Sequence, residues 1–337
     1  MSPAPEYLEI HPSFLMANSA STKYGQSPRW EEMDRFWAGE HAARALGQSG
    51  LLGRNHDYMT FSRLLEEQIL ETELKKGSPI KSIAGLNLAE IGSGSAQWSL
   101  RNAVHGAEVS VFDKSWNGLG YALYCADLLG AEVRGRFHEK QGDFYSTGYP
   151  NNFFKAVYGA GVVEHLSPED QDNYIRELFR ILEPLGLIAL TVPNHESPIR
   201  MASQRKEKSF FEWVKKNFPT MVYLSGLPMA YHEKGGARDL GEILKKGGFN
   251  VVETEAVNVA LPVPLPRDIV DKNPVARRFY GAIEKMSKGG LRFDGPDSND
   301  SRAGKMEFWD RMENSLSKDE RGQIAWWRYI VGRKIST

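Results

Sequence analysis

The segment from Leu88 to Leu100, LAEIGSGSAQWSL, is the feature that most limits what this chain can fold into. Its first part is apolar and suits a buried parallel strand. Gly92 and Gly94 then follow one residue apart, and glycine permits backbone conformations and a close ligand approach that a Cβ would block. We predict a helix after the turn, capped by Ser93 or Ser95, whose free N–H groups face whatever lies over the turn.

A second acidic strand end follows roughly twenty residues later, as in nucleotide-binding βαβ units. The segment AEVSVFD alternates apolar residues and ends at Asp113, where a parallel strand would bring a carboxylate to a ribose diol. The Gly-x-Gly-x-x-Gly fingerprint for a dinucleotide pyrophosphate is incomplete, because its third glycine is replaced by Gln97. A ribose-binding acid without a complete pyrophosphate loop indicates a nucleoside ligand that carries no phosphates.

The pattern resembles the class I S-adenosylmethionine (SAM) dependent methyltransferases over about half of the chain. The motifs that carry the resemblance follow in the family's order: Glu90, Gly92 and Gly94 in the first motif, Asp113 as the ribose acid, Gly142-Asp143-Phe144 as the adenine-contacting turn, Gly159 to Asp170 as the fourth strand and its loop, and Leu182 to Asn194 as the fifth strand. Lys155 departs from the pattern, because many members carry an acid at that position.

The resemblance implies SAM as the cofactor and assigns residues to its parts. Glu90 would lie by the methionine amine, and Asp113 would bind the ribose hydroxyls. The implied cofactor-binding residues are Glu90, Gly92, Gly94, Asp113, Lys114, Asp143, Phe144 and Gly161, with Lys114, Asp143 and Phe144 around the adenine. Tyr24 and Trp98 are aromatic residues that would either close over the cofactor or simply pack.

The segment from Ile83 to about Asn194 alternates short apolar strands with helices, which predicts an α/β fold with a parallel sheet and helices on both faces. We predict one of these strands at Glu132–Glu139. The resemblance implies a Rossmann-like, seven-stranded, mostly parallel sheet, closed by an antiparallel last strand in WWRYIVGRK. We expect this domain organisation: an N-terminal arm and helical cap over 1–80, a core over 81–257 and 325–337, and lid insertions over 195–236 and 258–324.

Composition narrows the class of partner. The acids and bases of the 337 residues nearly cancel to a formal net charge of -1, so nothing favours a nucleic acid as partner. No apolar run is long enough for a membrane span, and the N-terminus lacks a signal-peptide pattern, so we expect a cytoplasmic protein.

Cys125 is expected to be a small core residue, and no His/Cys/Asp cluster has the spacing of a metal site. A homodimer is compatible with the sequence.

Methyl transfer from a sulfonium is an in-line displacement that needs a base only when the nucleophile arrives protonated. The candidate bases are His165, His195 and His232, although His165 has an alternative role in ordering the loop after the fourth strand. Aromatic residues crowd the insertions and favour a small or medium organic acceptor. We expect O-methylation in a biosynthetic pathway; N- or C-methylation of a small molecule, an RNA or protein substrate, and a noncatalytic SAM-binding subunit are the alternatives.

Overall fold

The structure is a computed structural model and describes residues 55–194, 239–257, 317 and 327–335. These residues form seven strands with helices on both sides. In chain order the elements are α1 (Asn55–Lys75), β1 (Asn87–Ile91), α2 (Gln97–Val104), β2 (Glu108–Asp113), α3 (Trp116–Leu129), α4 (Ala131–Gly135), β3 (Phe137–Gln141), β4 (Phe154–Ala160), a short 3-10 helix (Val163–His165), α5 (Pro168–Ile181), β5 (Leu182–Pro193), α6 (Leu240–Lys246), β6 (Phe249–Val257) and β7 (Trp327–Lys334).

The sheet has the strand order β3-β2-β1-β4-β5-β7-β6. The pairs from β3 to β5 are parallel, and β7 runs antiparallel to both β5 and β6. This confirms the expected α/β fold with a mostly parallel, seven-stranded sheet. The last strand is antiparallel as expected, but it is inserted between β5 and β6 instead of closing the sheet at its edge.

Both faces of the sheet are covered, as the near-continuous apolar strands require. Alternate residues of β1 point to opposite faces: Leu88 joins the core with α1, α2 and α3, whereas Ala89 and Ile91 join the core with α5 and α6. Cys125 is buried in the first of these cores, which confirms that it is a small core residue.

Local signals explain where several helices begin. The Ser115 side chain accepts a hydrogen bond from Gly118 N at 3.0 Å and starts α3. Ser167 does the same for α5 by accepting from Asp170 N at 3.1 Å, with Pro168 in the first turn. A capping hydroxyl and an N-terminal proline satisfy or remove donors that would otherwise lack partners.

Two local predictions are wrong. The segment predicted as a strand at Glu132–Glu139 divides into α4 and then β3, which starts only at Phe137. Neither Ser93 nor Ser95 caps α2; its first residue follows Ala96, which has a left-handed backbone at φ 49° and no side-chain cap. The turn is instead held by backbone contacts to the neighbouring strand, which replace the expected cap.

The expected N-terminal arm, the lid insertions over 195–236 and 258–324, and Tyr24 lie outside the described residues. The expected cap is described only through α1. This helix packs on the sheet through Phe61, Leu65 and Ile69, all at most 1% exposed.

Lys155 links α1 to the sheet. It lies at the start of β4, and its ammonium contacts Glu73 of α1 at 2.6 Å and Glu183 of β5 at 2.7 Å. Burial by itself would raise the pKa of Glu73, but hydrogen bonds from Lys155 and Lys76 outweigh it and lower that pKa to about 2. The departure from the family pattern is therefore a partly buried cation that pairs with two acids.

Replacing Lys155 with Met should destabilise the fold by roughly 2–4 kcal/mol, because it leaves the buried Glu73 without its main counter-ion. The low pKa of Glu73 gives stability that is present above its unfolded value of 4.5 and is lost as the pH falls toward 2. The deficit of the variant in urea unfolding should therefore shrink at acidic pH. Arg63→Met, which removes an exposed pair with Glu67, should change stability by about 0.5 kcal/mol or less; equal effects of the two substitutions would contradict this assignment.

Candidate functional site

The carboxyl ends of four neighbouring parallel strands lie in a row along one edge of the sheet. These ends are Gln141 of β3, Asp113 of β2, Ile91 of β1 and Ala160 of β4. In open α/β sheets ligands bind outside the carboxyl ends of the strands, where the strand order reverses. The order reverses here between β1 and β4, so the motifs found in the sequence converge on this edge.

The glycine turn after β1 is fastened to the end of β2. The carbonyl of Phe112 accepts hydrogen bonds from Gly92 N at 2.7 Å and Ser93 N at 3.1 Å. Gly92 has φ +82°, and a Cβ there would lie 2.6 Å from Cγ2 of Val162 in the loop after β4. Gly94 also has a positive φ, of 49°. Gly92 is therefore required by its backbone conformation and by a close contact, while Gly94 lies in a region of backbone conformation that favours glycine.

Asp113 has a structural role that the sequence did not indicate. Its Oδ2 accepts from Gly94 N at 2.7 Å, and its Oδ1 accepts from Ser115 N at 2.7 Å. The carboxylate thus ties the glycine turn to the start of α3. A carboxylate accepts about four hydrogen bonds, so this anchoring is compatible with a contact to a ribose.

The residues predicted around the adenine are brought together. Lys114 Nζ lies 2.8 Å from Asp143 Oδ2 in a partly exposed ion pair. The Phe144 ring stacks on Tyr145 with ring centres 4.6 Å apart and meets Tyr174 edge-on at 5.6 Å. The loop after β3 therefore places a carboxylate and an aromatic ring next to Asp113.

Glu90 is buried near the end of β1. It is 1% exposed, and its Oε2 accepts a hydrogen bond from Ser99 N at 3.1 Å. Burial raises the pKa of Glu90 to about 8, although the hydrogen bonds from Ser99 oppose the rise, and the charge of Asp113 raises it further. The side chain is therefore mostly protonated at neutral pH in the ligand-free protein.

The edge fits a cofactor that carries a cationic amine and a ribose. A cation beside Glu90 would stabilise its carboxylate form. Ser93 Oγ and Gln97 Nε2 are buried without a hydrogen-bond partner among the described residues, and buried polar atoms normally have partners. Polar groups of a bound ligand would meet that need.

The loop after β4 borders the same edge of the sheet. Gly161 has φ +69°, and a Cβ there would approach Glu164 Oε1 at 3.5 Å and the Trp327 indole at 3.9 Å. Glu164 is 2% exposed, and His165 ends the 3-10 helix beside it. Of the three candidate bases only His165 is described; His195 and His232 lie outside the described residues.

Five aromatic rings form a cluster beside this loop: Phe61, Trp98, Tyr158, Trp327 and Tyr329. Trp98 lies 4.6 Å from Tyr158 and 5.5 Å from Phe61 between ring centres, and Phe61 lies 5.9 Å from Trp327. Trp98 is completely buried in this cluster, which is the packing alternative that the sequence left open. The cluster connects α1 with the strand ends.

Tyr174 is a residue of the site that the sequence analysis missed. Its hydroxyl donates to Ile91 O at 2.7 Å, and a Cβ on Gly159 would lie 2.5 Å from the same hydroxyl. The hydrogen bond therefore fixes α5 to the end of β1, with the hydroxyl packed close to Gly159 of β4. The sequence could have indicated this role, because Tyr174 lies among the apolar positions of α5 and a buried tyrosine hydroxyl usually has a hydrogen-bond partner.

Comparison with known proteins agrees with this geometry. Residues 88–186 match the family model of a methyltransferase domain, a range that runs from β1 through the start of β5. No curated protein matches the sequence.

In the described residues no helix is long and apolar enough to cross a membrane, and no group of three His, Cys, Asp or Glu side chains is arranged for a metal ion.

Several solved structures are similar to the chain at low identity. Phosphoethanolamine N-methyltransferase 2 of Haemonchus contortus is 19% identical with a TM-score of 0.40, covering 80% of this chain and 53% of that one. A possible histamine N-methyltransferase of Thermotoga maritima is 12% identical with a TM-score of 0.44, covering 90% and 99%. Magnesium protoporphyrin IX methyltransferase of Synechocystis is 19% identical with a TM-score of 0.39, covering 60% and 72%. The chain thus spans about half the length of the Haemonchus enzyme, and no argument about function rests on these likenesses.

Replacing Glu90 with Gln should remove a pH-dependent penalty on folding. Because the pKa of Glu90 is about 8 in the folded protein and near 4.5 when unfolded, stability from this group is greatest below pH 4.5, falls as the pH rises to 8, and then stays level. The variant should equal the wild type at low pH and exceed it by roughly 2–5 kcal/mol above pH 8. Urea unfolding of the ligand-free proteins across this range measures the difference.

The matched control is Glu108→Gln. Glu108 is the first residue of β2, at the opposite edge of the sheet from Glu90, and its side chain is partly exposed. It should leave the pH profile of stability close to that of the wild type. A Glu90→Gln protein whose stability follows the wild-type pH profile would show that Glu90 is already ionised near neutral pH.

Proposed function

We propose that this chain, which carries a class I S-adenosylmethionine-dependent methyltransferase domain and takes SAM as its cofactor, methylates a small or medium-sized organic acceptor. The observation that carries the proposal is the edge formed by the ends of β1, β2, β3 and β4. At this edge the buried Glu90, the turn with Gly92 and Gly94, and Asp113 follow one another in the order of the methyltransferase motifs. In this proposal the cofactor-binding residues are those assigned from the motifs, from Glu90 to Gly161.

When bound, SAM supplies an electrophilic methyl group on a sulfonium. The protein's own task is to hold the acceptor in line with that methyl group and to keep water away. The backbone of Gly92 and Gly161 would border the methionine end, and Glu90 offers that end a carboxylate once a cation lies beside it. Asp113 orients the ribose, while the Lys114 and Asp143 pair with Phe144 holds the adenine.

Two observations support a small acceptor over a polymer. The formal net charge of -1 does not suit a polyanion, whose binding depends on clustered cations. The aromatic cluster presents Trp327 next to Gly161, and apolar walls of this kind are typical of small-molecule pockets. The lid insertions over 195–236 and 258–324 would complete the enclosure and select the acceptor.

We further propose that the acceptor atom is a hydroxyl oxygen and that His165 is its general base. His165 lies in the loop after β4, two residues from Val163 and adjacent to the buried Glu164. An imidazole titrates near neutral pH without special tuning, and an acidic neighbour would stabilise the imidazolium that forms. His195 and His232 are the alternative bases that the insertions would bring to the same edge.

Asp113→Ala should weaken SAM binding by roughly 10- to 150-fold, the equivalent of about 1.5–3 kcal/mol for losing a charged hydrogen-bond partner. The loss has two sources, since the carboxylate anchors Gly94 as well as facing the ribose. Calorimetry with SAM and S-adenosylhomocysteine measures it. Glu108→Ala removes an acid from the other end of the same strand and should leave the affinity unchanged; equal affinity of both variants would refute the assignment of the ribose site.

A mass-shift screen with SAM against phenols, alcohols, amines and carbon acids should reveal one methyl addition on a hydroxyl compound. With that acceptor, turnover should rise with pH through an apparent pKa of about 6.5, and His165→Gln should lower the rate by roughly 10²–10⁴-fold with SAM affinity nearly unchanged. The rise of turnover with pH should also be lost in the His165→Gln variant. Methylation confined to amines, or a variant with the normal rate and pH profile, would exclude His165 as base for a hydroxyl.

A further inference from the structure

A continuous row of hydrogen-bonded side chains leads from the surface of α2 to Glu90. Its members, from the surface inward, are Arg101, Ser62, Asn102, Tyr158 and Ser99. At the inner end Ser99 N donates to Glu90 Oε2 at 3.1 Å, and the Ser99 side chain also hydrogen-bonds to the Glu90 carboxyl. Ser99 Oγ lies 2.8 Å from Tyr158 OH, which accepts from Asn102 Nδ2 at 3.0 Å. These four residues are each at most 1% exposed.

The outer end of this polar row lies where α1 packs on α2. The Ser62 hydroxyl of α1 donates to Asn102 Oδ1 and accepts from Arg101 Nη1 at 2.9 Å. Arg101 also pairs with Glu66 of α1 at 3.1 Å, and both of these side chains are 18% exposed. The polar row therefore begins at a cation near the surface and ends at a buried acid.

The chemistry of the groups gives every hydrogen bond in the polar row the same direction. Arginine can only donate, so the Ser62 hydroxyl accepts from Arg101 and its own hydrogen goes to Asn102 Oδ1. Asn102 then turns its NH₂ group to Tyr158 OH, and the phenol donates to Ser99 Oγ. The Ser99 hydrogen is left for the buried acid. Aligned hydrogen bonds of this kind polarise one another and favour negative charge at their end.

The titratable groups that face Glu90 do not favour its ionised form. They are Asp113 at the end of β2, Tyr158 in β4 and Tyr174 in α5. Asp113 is a like charge and raises the pKa of Glu90. Burial raises the pKa of both tyrosines, so they stay neutral. The hydrogen bonds from Ser99 are what lowers the pKa of Glu90 against these effects.

We propose, on the basis of the role proposed for Glu90 in binding the cofactor, that Tyr158, Asn102 and Ser62 are positioning residues that stabilise its carboxylate through Ser99. When the ammonium group of the cofactor arrives, neutral Glu90 becomes a carboxylate and its proton passes to the solvent. The polar row makes this ionisation easier without placing a cation next to Glu90. A cation there would repel the ammonium group, whereas neutral donors do not.

Calorimetry with S-adenosylhomocysteine on the full chain at pH 7, in two buffers of different ionisation enthalpy, tests this. The wild type should release nearly one proton on binding, because the pKa of Glu90 is about 8 in the ligand-free protein. Glu90→Gln should release none. Tyr158→Phe keeps the buried ring and removes the central hydroxyl, so binding should weaken roughly 3- to 10-fold, the equivalent of one hydrogen bond.

The Glu90→Gln background separates this positioning role from general support of the fold. Glutamine cannot ionise, so adding Tyr158→Phe there should change the affinity less than about twofold. Ser62→Ala interrupts the polar row in α1, away from Glu90, and should weaken binding about 2- to 3-fold with the same dependence on the background.

The matched control is Tyr329→Phe. It also removes the hydroxyl of a completely buried tyrosine, but this hydroxyl has no hydrogen-bond partner in the part of the chain that the structure describes. The variant should therefore keep both the affinity and the proton release of the wild type.

The proposal is overturned if Tyr158→Phe binds as tightly as the wild type, if it loses as much affinity in the Glu90→Gln background, or if Tyr329→Phe loses as much. Should circular dichroism show that Tyr158→Phe does not fold, Ser62→Ala supplies the same comparisons. Binding by the wild type without proton release would refute the proposed role of Glu90 together with this inference. Normal proton release with an unaffected Tyr158→Phe would refute this inference alone.

Discussion

The end of β2 is the point on which the site depends. Phe112 and Asp113 together accept five backbone N–H groups, from Gly92, Ser93, Gly94, Ser115 and Gly142. These groups belong to the loops after β1, β2 and β3. One pair of residues therefore holds three ligand-facing loops in a common frame, and the loops need no packed core of their own. A loop fixed in this way can expose its remaining backbone to a ligand at little entropic cost.

The electrostatics of the edge follow from the same arrangement. The turn closes over Glu90 and excludes water from it, so burial raises the pKa of this acid. Asp113, in contrast, is partly exposed, and its carboxylate accepts two backbone N–H groups. The two acids of this edge thus lie in different environments, and burial favours the neutral form of Glu90. The neutral acid suits a site that must be stable when empty and yet receive a cation.

The order of motifs at the strand ends could be predicted from the sequence because buried parallel strands have a clear apolar pattern and because Gly-x-Gly permits a positive-φ turn that other residues rarely adopt. The segment after Gly130 could not, since AEVRG and the residues after it are too short to separate a helical turn from a strand by periodicity. The left-handed Ala96 and the ion pairs of Lys155 depend on contacts between distant parts of the chain, of which a single sequence gives no sign. The roles of His195 and His232, of Tyr24 and of the insertions stay predictions.

The contact between Val162 and Gly92 joins the cofactor turn to the loop that carries His165. The missing Cβ of Gly92 is the space that the valine side chain occupies, and Tyr174 ties the strands below both loops. The two loops therefore form one interlocked unit. An engineer who grafts another protein's loop over residues 161–166 to change the acceptor would also reshape the seat of the cofactor, unless valine at position 162 and glycine at position 92 are transplanted together.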